Sequence, residues 1–361
     1  MIGQTFAIFV DAYRELNARK LFWITLILSA MVVGGFALLG VTPAGLSIAA
    51  LHLNLPDPSV VYNIVFQKLV IGFWLTWAAT ILALISTAGI FPDLIGGGSI
   101  DLYLAKPIGR ARLFLTKYLA GLVFVTLQVL VVAVGSYVVL GLRAHEWKPR
   151  LFLAVPIVVC FFSYLYCICV LLGIRTRSTI AALLLTILCW SLFAILDYTE
   201  PAVLMFRNMY EAQASQQRED ADFSEASLDR AEKDPTSDAM IPVFRHNAEE
   251  ARKEADADER TVQWLRLTHR VVYAVKTVTP KTADTIDFLE SEVFRPDEVE
   301  HAHGHEREIV GPGTTASQVE GAKQTVKELR TRSVAWIIGT SLAFEAIIVG
   351  TAMWVFCRRD Y

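Results

Sequence analysis

Three alternating histidines form the densest group of metal-ligand residue types in this sequence. The segment Glu300–Glu306 reads EHAHGHE and contains His301, His303 and His305. Imidazole and carboxylate groups bind Zn²⁺ and Cu²⁺, and Gly304 permits a turn that brings alternate imidazoles together. The segment predicts either a metal site or a solvated polar linker. Unchanged affinity for Zn²⁺ or Cu²⁺ after replacement of all three histidines would exclude the metal site.

A single carboxylate near the C-terminus is the second feature whose residue type could take part in chemistry. Glu345 lies in the middle of the apolar run SLAFEAIIVG. A charge is costly inside a membrane, so such a carboxylate faces a polar cavity, finds a partner or carries a proton. We therefore expect either a substrate or proton site or a structural hydrogen bond between helices.

Motifs that hold nucleotides or build catalytic centres are missing from the sequence. The glycine run Gly96–Gly98 is followed by Ser99 without the Lys-Ser/Thr pair of a P-loop, so it cannot cradle a nucleotide triphosphate. H-E-x-x-H, G-x-S-x-G and Cys/His zinc spacings do not occur either. We expect a chain that is not itself an enzyme. Its short basic loops adjoin apolar runs and do not suggest nucleic-acid binding.

Charge and hydropathy divide the 361 residues into two parts. Hydrophobic residues make up 54% and charged residues 19%, whereas about a quarter of a soluble chain is charged. Residues 197–333 contain 28 acidic and 18 basic residues, a net charge of −10, and the remainder has a net charge of +7. This division indicates a membrane protein with one large, acidic, water-soluble insert.

Six apolar runs have the roughly 20 residues that a transmembrane helix needs. They cover residues 21–42, 65–91, 113–141, 151–173, 179–196 and 334–356. Residues 1–20 show three- and four-residue apolar spacing, which predicts an interfacial amphipathic helix, with a cytosolic extension of the first span as the alternative. The insert, residues 197–333, reads as mostly helical. The predicted fold is an all-α polytopic membrane protein with six transmembrane helices and an extracytoplasmic insert between the fifth and the sixth.

The distribution of lysine and arginine predicts the orientation of these spans, because cytoplasmic loops carry an excess of both. Basic residues precede the first span, follow the second and fill the turn between the fourth and the fifth. Arg112 and Lys117 after the second span, and Arg358 and Arg359 in the tail, are expected to anchor the chain at the inner interface. The basic residues in the loop after the third span are an exception, because this orientation places them on the outer side. The balance places both termini in the cytoplasm and the insert outside.

The loop between the second and third spans, residues 92–112, has more structure than an anchor requires. It overlaps the stretch Ser99–Tyr118, which reads SIDLYLAKPIGRARLFLTKY. Its periodicity predicts a short helix over Ile100–Ala105, and the residue before Pro107 is pushed towards an extended conformation. Positive charges at the inner membrane surface explain the basic residues but not a separate helix followed by a break.

Three stretches of this sequence carry a resemblance to a known family. The stretch Gly98–Tyr118 resembles the first cytoplasmic loop of permease subunits of type-2 ABC exporters, with Gly109 in place of a frequent Ser and Thr116 in place of a frequent Gly. The tail Trp354–Tyr361, WVFCRRDY, resembles the terminal W-x-F-x-R-R-D-[FL] of the same family. Val271–Asp287 is similar to the family's segment before the last span. The chain is most similar to permeases associated with multicopper-enzyme maturation.

The resemblance implies that the loop is a coupling helix that docks into a separate ATPase subunit. The residues expected to couple are Ser99, Ile100, Asp101, Leu104, Lys106, Pro107 and Arg110. ATP and Mg²⁺ would then be bound by a pair of partner ATPases, and a second permease copy, identical or related, would complete the transporter. The resemblance also implies a bacterial cytoplasmic (inner) membrane, and the insert suggests a periplasmic partner.

Two other classes of function stay open from the sequence. A non-transporting membrane protein would use the insert to sense or bind an outer ligand or partner, and its activity would depend on the insert without any substrate flux. A membrane enzyme would need a convergent acid, base or nucleophile set, which the sequence does not offer.

Overall fold

A computed structural model describes residues 10, 14, 20–42, 45–48, 51–53, 67–96, 109–143, 147–233, 240–293 and 316–359. Within these ranges the α-helices are α1 (Lys20–Ala37), α2 (Thr80–Thr87), α3 (Ile90–Gly96), α4 (Arg110–Arg143), α5 (Ala154–Thr176), α6 (Thr179–Lys233), α7 (Ile241–Val278), α8 (Thr282–Val293), α9 (Ala316–Arg330) and α10 (Val334–Arg358). A π-helix, Gln67–Ala79, leads into α2, and a 3₁₀ turn, Pro149–Leu153, leads into α5. The predicted interfacial helix lies almost wholly outside the described residues.

Within the described ranges, five helical segments are long and apolar enough to cross a membrane. They are Gly72–Gly96, Arg110–Arg143, Pro149–Thr176, Thr179–Lys233 and Val334–Arg358. The class predicted from the sequence, an all-α membrane protein, is confirmed at this level.

The first predicted span, residues 21–42, differs from the structure at its C-terminal end. Helix α1 ends at Ala37, and the chain continues as strand β1 (Leu39–Thr42). Strands β2 (Gly45–Ile48) and β3 (Leu51–Leu53) complete a small antiparallel sheet in the order β1-β2-β3, with Leu39 opposite Ile48. Apolar composition alone does not distinguish a helix from a buried strand, so hydropathy extended the predicted helix into β1.

Helix α6 continues far beyond the predicted fifth span. Its 55 residues pass through Pro201 without a break, although an internal proline removes a backbone donor and usually kinks or ends a helix. At 1.5 Å per residue this helix is longer than any bilayer core, which measures about 30 Å. Only the N-terminal part of α6, which includes the predicted fifth span, can therefore lie within a bilayer core.

The chain forms two compact units. The membrane unit comprises Met1–Ala194, Thr279–His303 and Ile337–Tyr361, and the polar unit comprises Ile195–Val278 and Gly304–Trp336. Helix α8, which lies in the sequence of the predicted insert, is thus grouped with the apolar helices. It buries Leu289 and packs Ile286 and Phe288 against their core, because its apolar residues recur at helical spacing.

Helices α4 and α5 pack closely in the membrane unit because small residues face large ones. A Cβ atom on Gly121 of α4 would stand only 2.4 Å from the Tyr166 hydroxyl oxygen of α5. In the same way, Gly173 of α5 leaves room for the ring of Pro92, whose Cγ and Cδ would be 3.2 Å from an added Cβ. Such close helix contacts are typical of membrane bundles.

In the polar unit, α6 and α7 lie side by side through small residues at seven-residue spacing. Ala214 and Ala221 are buried on α6, and Ala248, Ala255 and Val262 are buried on α7. This spacing is that of a coiled-coil seam, and alanine permits a short distance between the helix axes. Polar pairs flank the seam, including Gln213 with Asp258, Arg218 with Glu259 and Arg266 with Glu211.

Candidate functional site

Arg110 joins the first turn of α4 to the C-terminal end of α10. Its Nη1 atom donates hydrogen bonds to the carbonyl oxygens of Cys357, at 3.2 Å, and of Arg359, at 2.9 Å. The last carbonyl groups of a helix have no partner within the helix and carry partial negative charge. A guanidinium group supplies both the hydrogen-bond donors and the positive charge that such carbonyl groups lack, so Arg110 caps the C-terminal end of α10.

Arg359 extends the same junction to a third helix. Its Nη1 atom donates to the carbonyl oxygen of Ile174 in the last turn of α5. The start of α4 and the ends of α5 and α10 therefore meet at one end of the membrane unit. We call this contact set, made by Arg110, Ile174, Cys357 and Arg359, the Arg110 junction.

A buried aromatic layer supports the Arg110 junction. Phe91 of α3, Phe114 of α4 and Phe356 of α10 have ring centroids 5.1 to 6.2 Å apart. All three side chains are fully buried. Tilted and edge-on aromatic pairs add stability beyond their buried area, so α3, whose residues 92–96 belong to the predicted coupling loop, is packed onto the same pair of helices.

Most of the predicted coupling residues lie outside the residues that the structure describes. Ser99, Ile100, Asp101, Leu104, Lys106 and Pro107 lie in the segment that the structure does not describe. Arg110 is described, and it occupies the centre of the Arg110 junction.

The predicted interface anchors differ in their surroundings. The Lys117 side chain is only 2% exposed within the chain, whereas Arg112 is half-buried. The guanidinium carbon of Arg358 lies 4.7 Å from the ring centroid of Trp354, a cation–π contact that holds this tryptophan beside the helix end. Arg359 makes the bond to Ile174 described above.

Glu345 links three membrane helices by hydrogen bonds. From α10 its Oε1 atom accepts from the Tyr118 hydroxyl of α4 at 2.8 Å, and its Oε2 atom lies 2.7 Å from the Ser163 hydroxyl oxygen of α5. Among the described residues no lysine, arginine or histidine comes within ion-pair distance of this carboxyl group. Of the alternatives predicted for Glu345, the structure therefore contains the hydrogen bond between helices.

An aromatic stack fixes the position of the Tyr118 hydroxyl. The ring of Tyr118 is stacked on Tyr166 with a centroid distance of 5.0 Å and on Phe114 at 6.3 Å. Tyr166 is stacked in turn on Phe162 at 5.3 Å. Because Phe114 also belongs to the layer beneath the Arg110 junction, contiguous packing connects that junction to Glu345.

The polar unit contains a buried ionic cluster centred on Glu200. Its Oε1 atom accepts from Arg332 and lies 3.1 Å from Nε2 of His269, and its Oε2 atom is 3.4 Å from the Lys276 ammonium nitrogen. Lys276 also pairs with Asp197 at 3.7 Å. Glu200 and Lys276 have no exposed side-chain surface. Opposite charges thus offset the high cost of burying each group alone.

The contacts of His269 determine which ring nitrogen carries a proton. Its Nδ1 atom is 3.2 Å from Nη1 of Arg207, and a guanidinium group can only donate. Nδ1 therefore accepts, and the proton on Nε2 is donated to Glu200. The His269 ring of α7 thus bridges Arg207 and Glu200 of α6, so this cluster joins the two helices.

Sequence reasoning did not identify two of these features. The Glu200 cluster combines residues far apart in the sequence, and no local sequence pattern predicts that they are in contact. Gln128 was detectable, because it is a lone amide in the apolar run of α4. Its side chain is 2% exposed, and neither amide atom has a hydrogen-bond partner within the described ranges.

Cavities and metal sites add little within the described part of the chain. A cavity lined by Val70, Ser136, Leu151 and neighbouring apolar residues has a volume of about 10 Å³, which is room for roughly one water molecule. No group of three or more potential ligands is placed to hold a metal ion among the described residues. The predicted site at His301, His303 and His305 lies outside them.

Searches against protein families, curated proteins and solved structures found no match to this chain.

Proposed function

We propose that this chain is the membrane-spanning permease subunit of an ATP-binding-cassette exporter. ATP and Mg²⁺ would be bound by a separate pair of ATPase subunits, since the chain has no P-loop. One observation carries the proposal. Two of the segments that resemble the exporter permeases, Gly98–Tyr118 and Trp354–Tyr361, meet in space through Arg110 and the carbonyl oxygens of Cys357 and Arg359.

This contact gives the coupling loop a mechanical role. A load applied to residues 99–108 by a moving ATPase would enter α4 at Arg110. The Arg110 junction would pass it directly to the ends of α10 and α5, and the rigid aromatic layer would carry it further into the membrane unit. Discrete rearrangement of packed helices is the usual means by which such a load changes a protein's conformation.

Transport would also require a second permease copy. The described cavity is too small for a substrate, and only 11% of the apolar stretch of α10 is buried within the chain. A pathway between two identical or related chains would account for both observations. In this arrangement the chain lies in a bacterial inner membrane with both termini in the cytoplasm and the polar insert, together with any periplasmic partner, outside.

A test begins with tagged full-length chain purified from membranes of its native host. We expect a co-purifying subunit that contains G-x-x-x-x-G-K-[ST] and hydrolyses ATP. Asp101→Ala combined with Leu104→Ala should reduce recovery of that subunit at least tenfold. The matched control, Arg143→Ala at the opposite end of α4, should leave recovery unchanged. Equal recovery from both variants would contradict the proposed docking site.

A second candidate function rests on the Glu200 cluster. Glu200 and Lys276 are fully buried in this cluster, and its ion pairs tie together helices of the polar unit, which a receptor for an outer ligand or partner would need. Such a protein need not transport anything. Reconstituted vesicles distinguish the two functions. An exporter moves cargo in an ATP-dependent way, whereas a receptor retains its partner without flux.

A further inference from the structure

The hydrogen bonds around Glu345 can be counted proton by proton. Three short contacts form a chain: Tyr118 hydroxyl to Glu345 Oε1 at 2.8 Å, Glu345 Oε2 to Ser163 Oγ at 2.7 Å, and Ser163 Oγ to the carbonyl oxygen of Cys160 at 2.8 Å. Each contact is short enough for a hydrogen bond between oxygen atoms. Each therefore needs a proton of its own.

The two hydroxyl groups supply only two protons. The Cys160 carbonyl can only accept, so Ser163 must be the donor in that contact, which is the usual intrahelical bond of a serine in a helix. Ser163 then has no proton left for Glu345. The remaining contact is satisfied if Oε2 itself carries the proton and donates it to Ser163.

The surroundings of Glu345 favour the same protonation state. The ionisable groups that face it from α4 and α5 are the phenols of Tyr118 and Tyr164 and the thiols of Cys160 and Cys167. None of these groups can become positively charged. An anion here would have no counter-ion among the described residues, inside a helix that crosses the membrane.

We propose that Glu345 is an intramembrane proton-binding site and holds α10 against α4 and α5 as a neutral carboxylic acid. Its proton completes the chain from Tyr118 to the Cys160 carbonyl oxygen. When the proton leaves, Ser163 must choose between Oε2 and Cys160, so one of the three hydrogen bonds is lost. The attachment of α10 to its neighbours therefore depends on occupancy by one proton, whether or not the chain is part of an exporter.

Infrared spectroscopy of the full chain in lipid nanodiscs tests this proposal. At neutral pH, where exposed carboxyl groups are ionised, we expect a carbonyl stretching band of a protonated acid that shifts on exchange into D₂O. Glu345→Gln should remove the band, and Asp93→Asn, which changes another carboxyl group on an apolar helical segment, should retain it. A wild-type spectrum without the band, or a band unaffected by Glu345→Gln, would overturn the proposal.

A second variant reports on the geometry even if Glu345→Gln does not fold. Tyr118→Phe keeps the stacked ring but removes the donor to Oε1, the carbonyl oxygen of the acid. The band should persist and move to higher frequency, because that C=O bond is no longer weakened by a hydrogen bond. A band at unchanged frequency would show that the acid it reports is not the group bound by Tyr118, and the assignment would fail.

Discussion

The Nη1 atom of Arg110 lies 2.9 Å from the carbonyl oxygen of Arg359, although 249 positions separate the two residues in the sequence. Arg110 is the first residue of α4 and the last of the residues predicted to couple to an ATPase. Arg359 follows the last helix. Arg110, which connects the coupling segment to α4, is therefore hydrogen-bonded directly to the end of α10.

Replacing Arg110 should weaken both stability and coupling. Arg110→Ala removes two hydrogen bonds from a charged donor, so we expect a loss of about 1.5–3 kcal/mol in the free energy of unfolding. We also expect ATP hydrolysis by the purified complex to become independent of cargo. Denaturant titration and cargo-stimulated hydrolysis measure the two effects. A variant with wild-type stimulation would show that the Arg110 junction does not transmit the load.

Replacing Gly121 should disturb the contact between α4 and α5. The Cβ atom of Gly121→Ala would overlap the Tyr166 ring, and overpacking of this kind costs about 1–3 kcal/mol. Gly350→Ala is the matched control, because nothing lies within 4 Å of an added Cβ on that α10 glycine. Thermal unfolding in detergent should show a lower midpoint for the first variant only. Equal midpoints would contradict the close packing.

Removing the carboxylate of Glu200 should be among the most damaging changes in the polar unit. Glu200→Ala removes the acceptor shared by the fully buried Lys276 and the largely buried Arg332, and breaking a buried ion pair from one side costs about 3–5 kcal/mol. Glu250→Ala removes an exposed carboxylate on α7 that pairs only with His246 among the described residues and should change stability by less than about 0.5 kcal/mol. Denaturant unfolding followed by circular dichroism measures the difference. Similar losses in both variants would show that the Glu200 cluster is not buried as described.

Replacing Gln128 should increase stability. Its buried amide has no hydrogen-bond partner among the described residues, and an unsatisfied buried polar group costs about 1–3 kcal/mol. Gln128→Leu preserves most of the volume and removes both polar atoms, so the unfolding midpoint should rise. A lower midpoint would mean that the amide has a partner in the folded protein.

The sequence predicted the elements of the membrane unit better than their contacts. Hydropathy located α4, α5 and α10 within a few residues, because the bilayer imposes both length and composition. It missed the end of α1 and the continuation of α6 through Pro201, where local packing overrides propensity. Glu345 stood out from the sequence as a carboxylate in an apolar run, and Arg110 was named because the resemblance implies a coupling role. The sequence could not identify Cys357, Tyr118 or Ser163 as their partners, since those contacts depend on the tertiary arrangement of helices distant in sequence.

Photo-crosslinking from the coupling segment in native membranes tests most directly whether this segment docks onto a separate ATPase subunit. A photoreactive amino acid replaces Leu104, and a matched one replaces His145 in the loop after α4, which the orientation predicted from the lysine and arginine distribution puts on the outer side. We predict a crosslink from position 104 to a subunit with a P-loop and none from position 145. Failure to crosslink such a subunit from position 104, or equal crosslinking from both positions, would contradict docking of the coupling segment onto an ATPase.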